Sequence, residues 1–208
     1  MNILDRKNTS DLSSAWQISR NAEKVIPLLL KLLAMAFCAK LLVDVLDVHS
    51  VFPPKHVGVM LMVYDAGIIL PLHEGGHLLF KFFGTFLYAF GGSFWQVMFP
   101  LLLFGFAVRE RSYFAFVWIA LAGVHLADIT SYIYDAPYQS LPLLGGKRVG
   151  HDWHFLLLQL DALDWNETLS SITYYGGALL GSGGVAGGVI HAVYSYIRTN
   201  TQRSTTSE

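Results

Sequence analysis

Apolar residues in this chain gather into long unbroken runs, with little of the alternation that marks half-buried strands. The runs cover about 26–48, 57–83, 86–108, 113–134 and 169–197. A helix of about 20 apolar residues crosses the hydrocarbon of a bilayer. The pattern therefore predicts an all-α, polytopic transmembrane bundle of five spans: Ile26–Val48, Val57–Phe83, Phe86–Val108, Tyr113–Tyr134 and Leu169–Ile197. A sixth follows if the piece at 151–165, "HDWHFLLLQLDALDW", inserts; alone it is a short helical piece, re-entrant or interfacial. Pro53-Pro54 stops any helix after the first span, and "DAPYQSLPLLGGKRVG" reads as a loop. Flanking these, residues 1–25 form a polar N-terminal arm with an interfacial turn around Trp16, 26–198 one helical domain, and 199–208 a tail expected to be disordered. The arm lacks the short apolar core of a cleaved signal peptide.

Composition sharpens this picture. Of 208 residues, 53% are hydrophobic and 14% charged, with a mean hydropathy of +0.45; soluble domains are nearer about a quarter charged. The expected surroundings are a lipid bilayer, and the expected location is that of a multi-pass integral membrane protein. A net charge of −1 without a basic patch argues against nucleic-acid binding. One cysteine, Cys38, excludes an internal disulfide and any multi-cysteine metal site, and is expected to be a small packing residue. Lys31 and Lys40, inside the first span, are expected to snorkel or to face protein. Arg6, Lys7, Arg20 and Lys24 favour a cytoplasmic N-terminus, although five spans put Arg109 and Arg111 on the far side. Gly177, Gly181, Gly184 and Gly188 repeat at near one-turn spacing and predict a close helix seam, open to a partner helix.

Against this background "ILPLHEGGHLLFKFF" at 69–83 stands out. His73 and His77 are four apart, on one helical face, and both imidazoles can point at one ion. Glu74 flanks them and can take a proton from a metal-bound water. This is the HExxH arrangement of zinc hydrolases, in which zinc brings the pKa of its water to about 7 and polarises a carbonyl. An ionisable group at membrane depth costs roughly 2.5–3.5 kcal/mol, so three together call for compensation that a cation supplies. Gly75 and Gly76 suggest that something approaches the backbone closely, and Pro71 that the helix kinks and opens to water.

Zinc needs a third protein ligand and an open position. Asp128 in "HLADITSYIYDA" is one candidate; the group His151, Asp152 and His154 in "GHDWH" is another. His125 and Asp135 are better read as hydrogen-bonding residues at the membrane boundary, and His49, His56 and His191 as surface or boundary residues. In "GGSFWQ", Gly91, Gly92, Ser93 and Gln96 form a polar notch, either a slot for substrate backbone with Gln96 as oxyanion donor or tight packing.

His73-Glu74-Gly75-Gly76-His77 in a membrane span, followed by a small-residue polar helix and an acidic residue two spans later, resembles the site-2-protease-like family of intramembrane zinc metalloproteases over roughly 57–135. The resemblance implies that His73 and His77 bind one Zn2+, that Glu74 is the general base, that Asp128 is the third ligand, and that the substrate is a transmembrane segment. Two other classes fit the residues: a lipid-modifying metal enzyme of di-iron hydroxylase or zinc amidase type, using 73–77 with 151–154, and a non-catalytic membrane subunit with a vestigial metal site.

Overall fold

The computed structural model describes residues 3–50, 58–141 and 150–204, with side chains over 22–48, 58–141 and 150–201. Trp16, His49, His56 and Pro53-Pro54 lie outside these side chains. The described residues contain no strand. Their helices are α1 (Ile3–Ser50), α2 (Val59–Tyr64), α3 (Leu70–Phe80), α4 (Thr85–Arg109), α5 (Phe114–Asp128), α6 (Thr130–Tyr134), α7 (Asp152–Gln159) and α8 (Asn166–Ser204).

Four segments are long and apolar enough to cross a membrane: Ala22–Val48, Thr85–Arg109, Phe114–Tyr134 and Leu163–Thr201. Their outer faces expose Leu30, Leu33, Phe106, Leu179 and Ile190, while Ser93, Gln96, His125 and Asp135 are buried. Apolar outside with polar groups paired inside reverses the soluble pattern and is consistent with a membrane protein. Met35, Cys38, Leu41 and Val45 of α1 meet Ala120, Val124 and Ala127 of α5 in the core, so Cys38 packs as a small apolar residue. Lys40 pairs with Asp44 one turn along α1.

Long-range hydrogen bonds fix the helix directions. The Tyr113 hydroxyl, just before α5, donates toward the carbonyls of Lys31 on α1 (3.1 Å) and Gly188 on α8 (3.2 Å). Farther along, Tyr174 of α8 donates to Leu46 of α1 (3.3 Å), and Thr173 pairs with Thr130 (3.1 Å). Thus α1 and α5 run parallel and α8 runs against both. The turn at 110–113 makes α4 antiparallel to α5. It follows that α1 finishes and α4 begins at the same end of the bundle.

Residues 58–83, the expected second span, join those two points and so make no net traverse of the bundle. The run is helical but jointed: α2, a π-helical turn (Asp65–Ile69), α3, then a 3-10 turn (Lys81–Phe83). Pro71 has no N–H to give Gly67, and the hydrogen-bond ladder widens to a π turn immediately before it. Gly84 then turns the chain into α4 with φ 92°, a conformation that L side chains avoid. At eight residues α7 is about 12 Å long, too short to cross about 30 Å of hydrocarbon.

Both polar ends continue as helix. α1 begins at Ile3, and α8 runs to Ser204, where 199–208 was expected to be disordered; residues 205–208 lie outside the description. Once nucleated, a helix adds one hydrogen bond per residue fixed, and Thr199 and Thr201 donate to the carbonyls of Ser195 and Ile197.

The α8 glycines form the expected seam, but within the chain. A methyl group at Gly177 would lie 2.7 Å from the Ala127 nitrogen, one at Gly181 2.6 Å from Leu42 Cδ1, and one at Gly184 2.6 Å from the Ala120 nitrogen; at Gly188 it would strike Met35. The seam is filled by α5 and α1, so it is not open to a separate partner helix. Gly184→Val is expected to cost about 1–3 kcal/mol by overpacking and to lower the unfolding temperature in detergent. Gly183→Ala, with nothing within 4 Å of the added methyl, should leave it unchanged or raise it.

Candidate metal centre

Three side chains from two elements converge. His73 and His77 come from α3, and Asp152 opens α7. Asp152 Oδ2 lies 3.4 Å from His73 Nε2 and 3.2 Å from His77 Nε2, and the three donor atoms all lie within 4.8 Å of one another. Tetrahedral ligands about 2.0–2.1 Å from zinc are separated by roughly 3.3 Å, which is the spacing of Asp152 Oδ2 from each imidazole.

The other face of each imidazole fixes its tautomer. His73 Nδ1 faces Gln96 Oε1 at 3.0 Å, and His77 Nδ1 faces the Tyr88 carbonyl at 2.7 Å. Both neighbours are acceptors, so both Nδ1 atoms carry hydrogen and both Nε2 lone pairs turn inward. Two inward lone pairs against a carboxylate leave a place that only a cation or protons can reconcile. Burial opposes the Asp152 carboxylate, but with protons on their Nε2 atoms the two imidazoles donate to it and hold its pKa below the ordinary value; a cation between the three groups would favour the carboxylate in the same way.

Gln96 is 2% exposed, and its amide is committed. Its Oε1 serves His73, while Nε2 donates to Asp128 Oδ2 (2.9 Å) and toward the His125 carbonyl (3.2 Å). Asp128 is thus linked to His73 through Gln96, two hydrogen bonds away. The expected oxyanion role finds no spare N–H on Gln96 in this arrangement; the residue orients His73. The backbone beneath contributes as well. Pro100, four residues on, leaves the Gln96 carbonyl without its helical donor, and His125 Nδ1 donates to that carbonyl at 2.7 Å. His125 Nε2 accepts from the Tyr64 hydroxyl at 2.8 Å. His125 is hydrogen-bonded, as expected, and is buried in the core.

The remaining candidates of the "GHDWH" group are not among the three converging donors, although His151 lines the cavity beside them. His151 lies 3.9 Å from Asp135 Oδ2, and His154 Nδ1 faces the Ala136 carbonyl at 2.8 Å. Asp135 is fully buried and accepts from the backbone N–H groups of Ser140 (3.0 Å) and Leu141 (2.9 Å). It ties down the start of the loop that leads to α7. Trp153 donates its indole N–H to Ser93 at 3.0 Å, clamping α7 onto α4 beside Asp152. Thus Ser93 of the polar notch serves this clamp.

The paired glycines are explained by helix approach. A methyl at Gly76 would run into Gly91 O, and one at Gly91 would lie 2.7 Å from Phe80 Cβ. Gly92 makes room for the centre itself: an added Cβ would lie 2.7 Å from His73 Nε2 and 2.8 Å from His77 Cε1. Gly75 touches nothing within 4 Å. The notch is therefore a packing device that lets two imidazoles stand between α3 and α4. Gly92→Ala is expected to displace both rings and reduce metal affinity by about 10–100-fold, the range for lost supporting contacts, with helical content by circular dichroism unchanged.

Beside the three donors opens a cavity of about 500 Å³. Glu74, exposed, lines it together with Asp65, Tyr88, Tyr132 and Trp153. The general-base candidate and the donor cluster thus share one chamber.

Some parts of this site left no mark in the sequence. Any residue can supply a backbone carbonyl, so the Tyr88 and Ala136 partners were not legible. The Trp153–Ser93 clamp joins residues 60 apart. Pro100 four residues after Gln96 was a readable sign of a freed carbonyl. No family model matches this chain, and no curated protein or solved structure matches it.

Proposed function

We propose that this chain is a membrane-embedded zinc hydrolase that cleaves a peptide bond in a membrane-resident segment. One observation carries the reading: two tautomer-fixed imidazoles and one carboxylate converge, the carboxylate at zinc-ligand spacing from each ring, with a glutamate on the same cavity. His73, His77 and Asp152 would hold the ion. When bound, zinc would polarise a carbonyl and make a water more acidic. Glu74, on the wall of the same cavity, would be the general base, taking a proton on its carboxylate and returning it to the departing amide nitrogen. Tyr132 and Trp153 wall the chamber in which an unwound segment can lie.

The alternatives draw less support. A di-iron centre needs further histidines, whereas among the described residues only His73, His77 and Asp152 converge, and His154 is turned to the Ala136 carbonyl. Zinc amidase chemistry on a lipid would use the same donors and differs only in what enters the cavity. With four crossings, Arg109, Arg111 and Arg198 stand at the end where α1 begins, together with the basic arm. The positive-inside rule then makes that end cytoplasmic and opens the metal centre toward the opposite half of the membrane.

The first test is the metal content of the purified chain. One zinc per chain is expected. Two irons, or no metal in protein that takes up none on titration, would overturn the reading.

A further inference from the structure

Away from the metal centre, α1 and α8 enclose a second cavity, of about 240 Å³. Lys24, Pro27, Leu28 and Lys31 line it from α1, and Ser195 and Tyr196 from α8. Lys24 and Lys31 are seven apart, two turns, so their ammonium groups address the same side of α1. Glu23 and Thr199 are also in the wall; Thr199 donates to the Ser195 carbonyl (2.8 Å). Lysine outnumbers acid in the lining by two to one.

The level of the cavity is marked by the neighbouring helix. Tyr113, at the start of α5, is hydrogen-bonded to the carbonyls of Lys31 and Gly188, and the Lys31 ammonium lies 5.1 Å from the Tyr113 ring centroid. Arg109 and Arg111 occupy the turn just before Tyr113. This is the turn between the candidate spans Thr85–Arg109 and Phe114–Tyr134, while Leu29, Leu30 and Leu33 of α1 expose apolar side chains alongside. Walls that mix Pro27, Leu28 and Ala192 with two lysines and two hydroxyl side chains, opening beside an apolar flank, match a molecule with an anionic head and a hydrocarbon tail.

We propose that the α1–α8 cavity binds the phosphate of an anionic phospholipid, with Lys24 and Lys31 as its cationic contacts and Ser195 and Tyr196 as hydroxyl donors. This site is separate from the metal centre and requires no catalytic activity.

The test uses the full chain in detergent, titrated with phosphatidylglycerol, phosphatidylcholine or inorganic phosphate and read by native mass spectrometry and unfolding temperature. Phosphatidylglycerol is expected to bind and raise the unfolding temperature; the zwitterionic lipid should do so at least tenfold more weakly. K24Q, and K24Q with K31Q, should lose this preference, while K40Q, whose lysine pairs with Asp44 elsewhere on α1, should keep it. Should the double variant fail to fold, K24Q alone decides. Equal binding of the two lipids, or a preference that survives K24Q and K24Q/K31Q, overturns the proposal. So does lysine-dependent stabilisation by inorganic phosphate as large as that by the lipid, which would make the ligand a soluble anion.

Discussion

Asp152→Ala is expected to release the metal, with zinc affinity falling by more than about a hundredfold. The reference point is the 10–100-fold loss typical of residues that only support a ligand; Asp152 is argued to be a ligand itself, 3.2 and 3.4 Å from the two imidazole Nε2 atoms. Gln96→Leu, which removes the acceptor for His73 Nδ1, belongs in the supporting range. His154→Ala should leave one ion per chain, because that ring is turned to the Ala136 carbonyl. Competition against a chromophoric chelator measures all three. If Asp152→Ala retained affinity while Asp128→Ala lost it, the third ligand would be Asp128 and α7 would have no part in holding the metal.

The second large effect is expected from Glu74→Gln. The substitution keeps the shape of the side chain and removes its basicity. A positioned general base contributes about 10²–10⁴ in rate, so turnover should fall by that factor while zinc stays bound. Glu74 is exposed and lines the cavity, so little stability should be lost with it. New N-termini of membrane proteins, compared between cells carrying the native chain and the variant, give the readout whatever the substrate is. Identical sets of termini from the two would refute peptidase action. The same cells can be examined for changed lipid acyl-amides, the outcome that points to amidase chemistry.

Much was legible in the sequence because its physical cause is local. Helices follow from apolar runs: a chain in lipid has no other partner for its backbone N–H and C=O groups. The pairing of His73 with His77 follows from 3.6 residues per turn, and their proximity to Glu74 from adjacency. The close helix seam follows from glycine spacing, since only a missing side chain lets backbones meet. None of these depends on what lies elsewhere in the chain.

What the tertiary structure alone decided was which distant residue faces which. Asp128 and Asp152 were both candidate carboxylates, and the family resemblance implied Asp128. The choice depends on α7 being pinned by Trp153 to Ser93 and on Gln96 standing between Asp128 and His73. The run 57–83 was expected to be a crossing. Length and hydropathy measure whether a helix can cross, whereas crossing is settled by where its ends are held, here by the parallel course of α1 and α5. The destination of the α8 glycines, inward to α5 and α1, was undecided for the same reason. Local periodicity specifies a face; only packing specifies the surface that face meets.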